Sequence, residues 1–166
     1  MKKVLTLCII HQHPRVLFGM KKRGFGAGRW NGFGGKVQEG EIIKEAALRE
    51  LKEEAGIIAN GIERRGIIDF EFRGNSEILE VHIFKGNRIS GKLKESDEMK
   101  PQWFPIDEIP FTNMWPDDKY WFPLFLEDKK FQGKFLFDSS NNILEMKLNE
   151  VKDIYKNRTY IHDSST

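Results

Sequence analysis

Glutamates are concentrated between residues 41 and 57, in a segment whose composition favours a helix. At about 100° per residue, one side of that helix is an apolar stripe suited to packing on a sheet. The members of the stripe are Ile43, Ala46, Ala47 and Leu51. Glu50 and Glu54 fall in the middle of the stripe, and Glu53 falls at its edge. These carboxylates are therefore not ordinary solvated surface charges.

Carboxylates on a packing face need compensation, because a buried ion without a partner is strongly unfavourable. Arg49 is placed to pair with Glu53 and Glu45, each four residues away. One cation cannot neutralise several converging carboxylates, whereas a divalent metal can. Hard oxygen ligands select magnesium, with manganese as the next best fit. The alternative is a solvated acidic helix with an imperfect apolar stripe.

The residues around this helix follow a defined pattern. It begins with Gly35-Lys36-Val37-Gln38-Glu39-Gly40-Glu41 and resumes with Arg49-Glu50-Leu51-Lys52-Glu53-Glu54-Ala55-Gly56-Ile57. At every fixed position the pattern resembles the signature, or box, of the MutT/Nudix hydrolases. That resemblance implies an α+β Nudix domain over residues 1–151, with a mixed β-sheet sandwiched between helices. It also implies a reaction in which water attacks a phosphorus of a nucleoside diphosphate linked to a further group.

The same resemblance implies roles for individual residues. The expected metal ligands and catalytic carboxylates on the helix are Glu50, Glu53 and Glu54. The backbone carbonyl of Gly34 would be a further metal ligand, and Arg49 would hold the glutamates in orientation. Outside the box, Glu98 would be a base or an extra metal ligand. On spacing alone, a surface charge in a loop fits Glu98 equally well.

Residues 25–35 and 113–118 resemble the animal branch of this family, whose members hydrolyse oxidised purine nucleoside triphosphates, and the likeness extends over residues 3–151. It implies that Trp115 stacks on the base. By the same likeness, the purine edge is hydrogen-bonded by Asn31, Asp117 and Asp118. The rest of the substrate site would be Thr6, Leu7, Lys21, Phe25, Gly34, Gly35, Phe70, Phe72 and Leu79. Leu79 departs from the methionine expected in mammalian members.

Asp117 and Asp118 can also be weighed on physical grounds. Two acids close together in an apolar pocket do not both ionise, so we expect the pKa of one to rise. A protonated aspartate donates a hydrogen bond and an ionised one accepts. Exchanging these roles would let one pocket read both an oxidised guanine and an oxidised adenine. The alternative is that both aspartates favour a helix N-terminus, where negative charge is stabilised.

Apolar patterns predict the elements that position these residues. Strands are expected at 3–10, 15–22, 64–73, 77–86, 131–137 and 143–148, with a short extended piece at 101–105. Helices are expected at 42–55, which Gly56 ends, and at 117–130, where Pro123 is awkward. The glycines between residues 24 and 35 predict backbone bends and close approaches. The tail at 152–166 is polar, and its end is expected to be mobile.

The amino-acid composition indicates the general class of protein and the kinds of partner it excludes. A chain of 166 residues with 39% hydrophobic and 31% charged residues is typical of one globular domain. Its net charge of only +2 argues against a nucleic-acid polymer as partner. Cys8 is the one cysteine, which excludes an intrachain disulfide and fits a reducing, cytoplasmic setting. Mitochondrial and nuclear nucleotide pools fit as well.

The apolar run after Lys2-Lys3 favours a buried strand over a signal peptide. No stretch approaches the roughly 20 apolar residues of a membrane span. Nothing demands an oligomer, so a monomer acting on a small nucleotide is expected.

Three functions compete. The leading one is pyrophosphohydrolysis of oxidised purine nucleoside triphosphates, such as 8-oxo-dGTP and 2-hydroxy-dATP. The second keeps the reaction but changes the substrate to ADP-ribose, a dinucleoside polyphosphate or a cap-like nucleotide, and the segment from Trp115 to Asp118 argues against it. The third is a Nudix-fold module that binds RNA or a protein without catalysis, and the intact set of box glutamates argues against that.

Overall fold

A computed structural model describes residues 1–154, which form a mixed sheet of eight strands, a second sheet of two short strands, and two α-helices. The strands are β1 (Lys2–Gln12), β2 (Arg15–Lys21), β3 (Trp30–Asn31), β4 (Ile58–Ala59), β5 (Glu63–Phe72), β6 (Ile78–Gly86), β7 (Ile89–Ser90), β8 (Met99–Pro105), β9 (Lys130–Phe137) and β10 (Ile143–Val151). The helices are α1 (Ile43–Ala55) and α2 (Asp118–Leu126), and short 3-10 turns lie at Ile106–Glu108 and Phe111–Asn113.

The large sheet has the order β10-β9-β5-β6-β1-β2-β3, and β8 pairs with β2. It is mixed because β1 pairs with β6 and β5 pairs with β9 in parallel, whereas its other pairings are antiparallel. Every strand predicted from the apolar patterns is present, with ends that differ by up to a few residues. The two-residue strands β3, β4 and β7 escaped prediction, because so short a strand carries no periodicity.

The two helices cover opposite faces of the sheet. Alternate residues of β1 show this, because Cys8 and Ile10 pack in one core with Leu51 of α1, whereas Ile9 packs in a second core with Phe122 of α2. Successive side chains of a strand point to opposite faces, so the two cores lie on the two sides of β1. The predicted sheet between helices is therefore confirmed.

Helix α1 buries the apolar stripe expected from its sequence. The buried members are Ile43, Ala46, Ala47 and Leu51. The helix ends at Gly56, which adopts a φ of 75° and donates its N–H to the Lys52 carbonyl at 3.0 Å. Glycine takes this left-handed conformation without the Cβ clash that other residues suffer, so the chain turns sharply at the end of the box helix.

Helix α2 is shorter than predicted. It spans Asp118–Leu126 rather than 117–130, because Asp128 has a φ of 59° and ends the helical conformation. Pro123 lies inside the helix, where it cannot donate a hydrogen bond to the carbonyl of Lys119.

The structure describes only residues 152–154 of the predicted tail. Ile154 is buried, and its carbonyl accepts a hydrogen bond from Gln132 Nε2 at 2.7 Å. Residues 155–166, with the end expected to be mobile, lie outside the described residues, and the boundary at 151 stays a prediction. Among the described helices, none has the length and apolar character needed to cross a membrane.

Candidate active site

A cavity of about 260 Å³ extends from the box helix to the beginning of α2. Every residue predicted for the substrate site lines it: Thr6, Leu7, Lys21, Phe25, Asn31, Gly34, Gly35, Phe70, Phe72, Leu79, Trp115, Asp117 and Asp118. Of the predicted catalytic side chains, Glu54 forms part of the wall. The fold therefore brings segments that are far apart in sequence around one space.

Sequence reasoning missed six of the lining residues: Leu5, Gly26, Gly32, Val81, Met99 and Phe137. Alternation along β6 could have found Val81, because it lies two residues after Leu79 and so on the same face of the strand. Met99 and Phe137 come from β8 and β9. Their positions depend on the order of strands in the sheet, for which no local signal exists.

Gly34 and Gly35 lie where the chain runs close beside β1. The Thr6 N–H donates to the Gly35 carbonyl at 2.9 Å. A Cβ on Gly34 would stand 1.8 Å from the Thr6 carbonyl oxygen, and one on Gly35 would stand 2.7 Å from Glu50 Oε1. A side chain at position 34 would therefore force this loop away from β1. Glycine is needed there because the two backbones approach each other so closely.

Glu54 is the most buried glutamate of the box, with 5% of its surface exposed. Its Oε1 accepts a hydrogen bond from the Gly34 N–H at 2.9 Å. Burial raises the pKa of Glu54 to about 7, and the negative charges of Glu50 and Glu98 raise it as well. The hydrogen bond from Gly34 and the charge of Lys21 act in the opposite direction. A further cation near Glu54 would favour its ionised form.

Arg49 ties the other box glutamates together. Its Nε and Nη2 donate to the two carboxylate oxygens of Glu41 at 2.7 and 3.0 Å, and its Nη1 donates to Glu50 at 2.9 Å and Glu53 at 3.2 Å. The expected partner Glu53 is confirmed, but Glu45 was a wrong prediction and is exposed. Glu41, which precedes the helix, takes that place because it offers the guanidinium a bidentate pairing.

Glu98 lies immediately before β8, beside the cavity but outside its wall. It pairs with Arg23 Nε at 2.8 Å and with Lys21 Nζ at 3.2 Å. These hydrogen bonds, from Arg23 first and then Lys21, hold the pKa of Glu98 below its usual value. Because Lys21 lines the cavity, a single side chain separates Glu98 from it.

Within residues 1–154, no three acidic, histidine or cysteine side chains converge closely enough to form a ready-made metal centre. Glu50 and Glu53 are paired with Arg49, and Glu54 is bonded to the Gly34 N–H. Burial raises the pKa of Glu50, although the hydrogen bond from Arg49 opposes that rise. In this structure each of these three carboxylates of the helix is therefore compensated by its own hydrogen bond, from Arg49 or from the Gly34 N–H.

Asp117 and Asp118 are each 3% exposed, at the α2 side of the cavity. Trp121 Nε1 donates to Asp117 Oδ2 at 2.8 Å, whereas Asp118 Oδ2 has no hydrogen-bond partner within the described part of the chain. Burial raises the pKa of both acids, and the charge of Asp117 raises that of Asp118 further. The pKa of each acid is therefore raised, whereas a rise of only one was expected, and the pKa of Asp118 lies well above its usual value. Asp117 and Asp118 lie at the N-terminus of α2, where negative charge is stabilised, although no side chain makes a capping hydrogen bond there.

Aromatic rings form another part of the wall. Phe25 stacks on Trp115 with ring centroids 5.0 Å apart and an interplanar angle of 28°, although 67% of Phe25 is exposed. Phe72 meets Phe25 edge-on at 5.8 Å. Flat apolar surfaces of this kind are suited to stacking on a planar base.

A family model of the NUDIX domain matches residues 1–125. The chain therefore belongs to the Nudix family. Over 152 residues it is 56% identical to a Danio rerio protein named oxidized purine nucleoside triphosphate hydrolase, covering 92% of this chain and 97% of that protein. Over 149 residues it is 55% identical to a Mus musculus protein of the same name, covering 90% and 96%.

Among solved structures, the crystal structure of the mutator MutT protein from Bacillus halodurans is similar to this chain, with a TM-score of 0.80 and 31% identity. The match covers 89% of this chain and 97% of that one. The family and the α+β Nudix fold expected from the glutamate pattern are thus confirmed, and with them an enzyme of the Nudix hydrolase class. Enzymes of this class generally use a divalent metal. The roles of individual residues stay predictions.

Proposed function

We propose that this chain hydrolyses oxidised purine nucleoside triphosphates, such as 8-oxo-dGTP and 2-hydroxy-dATP, to the monophosphate and pyrophosphate. It would thereby remove them from the nucleotide pool before they enter DNA. The observation that carries the proposal is one cavity whose wall contains both Glu54 of the box helix and the buried pair Asp117 and Asp118. The names of the Danio rerio and Mus musculus relatives support the same substrate class.

The buried pair supplies a physical basis for reading the base. An oxidised purine differs from the normal one in the hydrogen-bonding atoms along its edge. A buried polar atom without a partner costs about 1–3 kcal/mol, so Asp118 Oδ2 favours a base that supplies one. Thr6 Oγ1 is buried without a partner as well, and it lines the same cavity. A protonated Asp118 donates to the base, while an ionised Asp117 accepts.

We propose Mg²⁺ as the divalent cation, with Mn²⁺ able to replace it. The oxygens that would hold it belong to Gly34, Glu50, Glu53, Glu54 and Glu98. The fit rests on Glu54, because a nearly buried carboxylate whose pKa is raised to about 7 gains from a nearby cation. The other donors are also hard oxygens, which magnesium prefers. When bound, the cation would neutralise charge on the phosphate oxygens.

The chain's own residues have complementary tasks in this proposal. Arg49 keeps Glu50 and Glu53 in orientation through its hydrogen bonds. Lys21 lines the cavity with its ammonium between Glu98 and the site, where it can contact a phosphate. Phe25 and Trp115 supply the surface on which the base stacks.

The test is product analysis with purified protein. 8-oxo-dGTP, 2-hydroxy-dATP, dGTP and ADP-ribose are supplied separately with Mg²⁺, with Mn²⁺ or with a chelator, and products are separated by ion-exchange chromatography. We expect monophosphate and pyrophosphate from the oxidised triphosphates, in a reaction that the chelator abolishes. Preferred cleavage of ADP-ribose, or release of inorganic phosphate with a diphosphate, would contradict the proposal.

A further inference from the structure

Arg29 has no part in the site described so far. It lies in the turn between β2 and β3, where its backbone N–H donates to the Gly26 carbonyl at 3.2 Å and its carbonyl accepts from the Lys21 N–H at 3.0 Å. These two hydrogen bonds fix the point from which its side chain leaves the backbone.

The guanidinium of Arg29 lies over the ring of Trp115, which lines the cavity, although Arg29 itself does not line it. Its Cζ is 4.2 Å from the centroid of the Trp115 ring, well within the range of about 6 Å in which a cation is attracted to an aromatic face. Its Nη1 is buried and makes no hydrogen bond within residues 1–154. Aromatic contact and charge, rather than a hydrogen bond at this nitrogen, therefore hold the group in place.

The charge of Arg29 also acts on the aspartate pair. Burial raises the pKa of Asp117 and Asp118, and the positive charge of Arg29 opposes that rise at both. Two further effects on these pKa values come from α2 and the residue before it. The two carboxyl groups act on each other, and the Trp121 N–H donates a hydrogen bond to Asp117. Arg29 acts on the pair from a different element, the β2–β3 turn.

We propose that Arg29 is a positioning residue for base recognition, which holds the Trp115 ring and places a positive charge near the Asp117–Asp118 pair. The inference rests on the proposed reading of an oxidised purine by that pair. A single guanidinium thereby links the stacking surface to the hydrogen-bonding edge. Lysine would preserve the charge but not the planar contact with the ring.

The test compares Arg29→Met and Arg29→Lys with a matched control, Arg15→Met. Arg15 makes the same kind of contact outside the cavity, with its Cζ 3.8 Å from the centroid of the Trp103 ring. Binding of the product 8-oxo-dGMP, without metal, is measured by calorimetry across the pH range in which the pair titrates. kcat and KM for 8-oxo-dGTP are measured beside it, and thermal unfolding establishes that each variant is folded.

For Arg29→Met we expect about tenfold weaker binding of 8-oxo-dGMP, an equivalent rise in KM, and little change in kcat. Loss of the Arg29 guanidinium raises the pKa of the aspartate pair. The acidic limb of the pH profile for 8-oxo-dGMP binding therefore moves to higher pH. Arg29→Lys should restore the position of that profile and only part of the affinity. Arg15→Met should behave as the parent protein does.

An Arg29→Met protein that matches Arg15→Met in both affinity and pH profile would overturn the inference. A loss of affinity with an unmoved pH profile would overturn it too, because a purely structural role predicts that result. Failure of the proposed function has a different signature, since the parent protein and Arg15→Met would then bind 8-oxo-dGMP no better than dGMP.

Discussion

The two parts of the cavity are built in different ways. Apart from Glu98 and Lys21, the part proposed for catalysis comes from one stretch of sequence, residues 34–57, and the charges of its glutamates are largely compensated inside that stretch by Arg49 and by the Gly34 N–H. The part proposed to read the base is collected from β1, β5, β6, the β2–β3 turn and the residues around the start of α2. It leaves Asp118 Oδ2 and Thr6 Oγ1 buried without partners among the described residues. On this proposal, most of the catalytic residues belong to one segment of the sequence, whereas the residues that select the base come together only in the assembled fold.

The strongest test of whether catalysis and base binding depend on separate residues is to disable the catalytic residues alone. Glu54→Gln keeps the shape of the side chain and removes its charge, so we expect kcat to fall by roughly a thousandfold. Binding of 8-oxo-dGMP without metal should change little. Steady-state kinetics and calorimetry measure the two effects.

Glu45→Gln is the matched control, because Glu45 is an exposed glutamate on the same helix. It should retain full activity. A Glu54→Gln protein with a kcat within a few fold of the control would remove Glu54 from the mechanism.

Gly34→Ala tests the contact between the catalytic loop and β1. The added Cβ would stand 1.8 Å from the Thr6 carbonyl oxygen. We expect a loss of about 2–3 kcal/mol in the free energy of unfolding, measured with urea, together with a fall in kcat. Gly40→Ala is the comparison, since a Cβ there meets open space and only the positive φ is strained. Equal stability of the two variants would show that the loop is not held against β1.

Substitution of the aspartates should alter selectivity more than chemistry. We expect Asp117→Asn and Asp118→Asn each to change the preference among 8-oxo-dGTP, 2-hydroxy-dATP and dGTP by about 10–100-fold, because a buried hydrogen bond to a base is lost or reversed. Asp107→Asn, at an exposed position, is the control. If neither change alters the ranking of substrates, the pair does not read the base.

Leu79→Met should have the smallest effect. The residue lines the cavity through apolar surface, and Leu and Met have similar volumes. We expect KM for the oxidised triphosphates to change by less than about threefold, with kcat unaltered. A larger change confined to 2-hydroxy-dATP would identify Leu79 as a determinant of selectivity among damaged purines.

The same division explains how far the sequence could be interpreted. The helical wheel placed Glu54 on the packing face of α1, and 5% exposure agrees with it. The wheel also suggested that Glu53 converges with the others, yet its side chain is 58% exposed and paired with Arg49. The rotamer of Glu53 and its ion pair with Arg49 determine where its carboxylate lies, and neither can be predicted from a pattern of residue types.

At the base-reading part, resemblance rather than periodicity supplied the residues that line the cavity. Phe137 was missed because β9 joins β5 through a parallel pairing between distant segments. Glu41 was missed as the bidentate partner of Arg49, because it lies eight residues earlier and outside the helix. In both cases a long-range or loop geometry, absent from local spacing, determines the contact.

The central claim is that this cavity selects an oxidised purine and delivers it to the box glutamates. The most direct test is the ratio of kcat/KM for 8-oxo-dGTP to kcat/KM for dGTP, followed by pyrophosphate release with Mg²⁺. We predict a ratio well above ten in the parent protein, consistent with one buried hydrogen bond or more worth about 1–3 kcal/mol, and a much smaller ratio in Asp118→Asn. Equal kcat/KM for the two nucleotides in the parent protein would contradict the account.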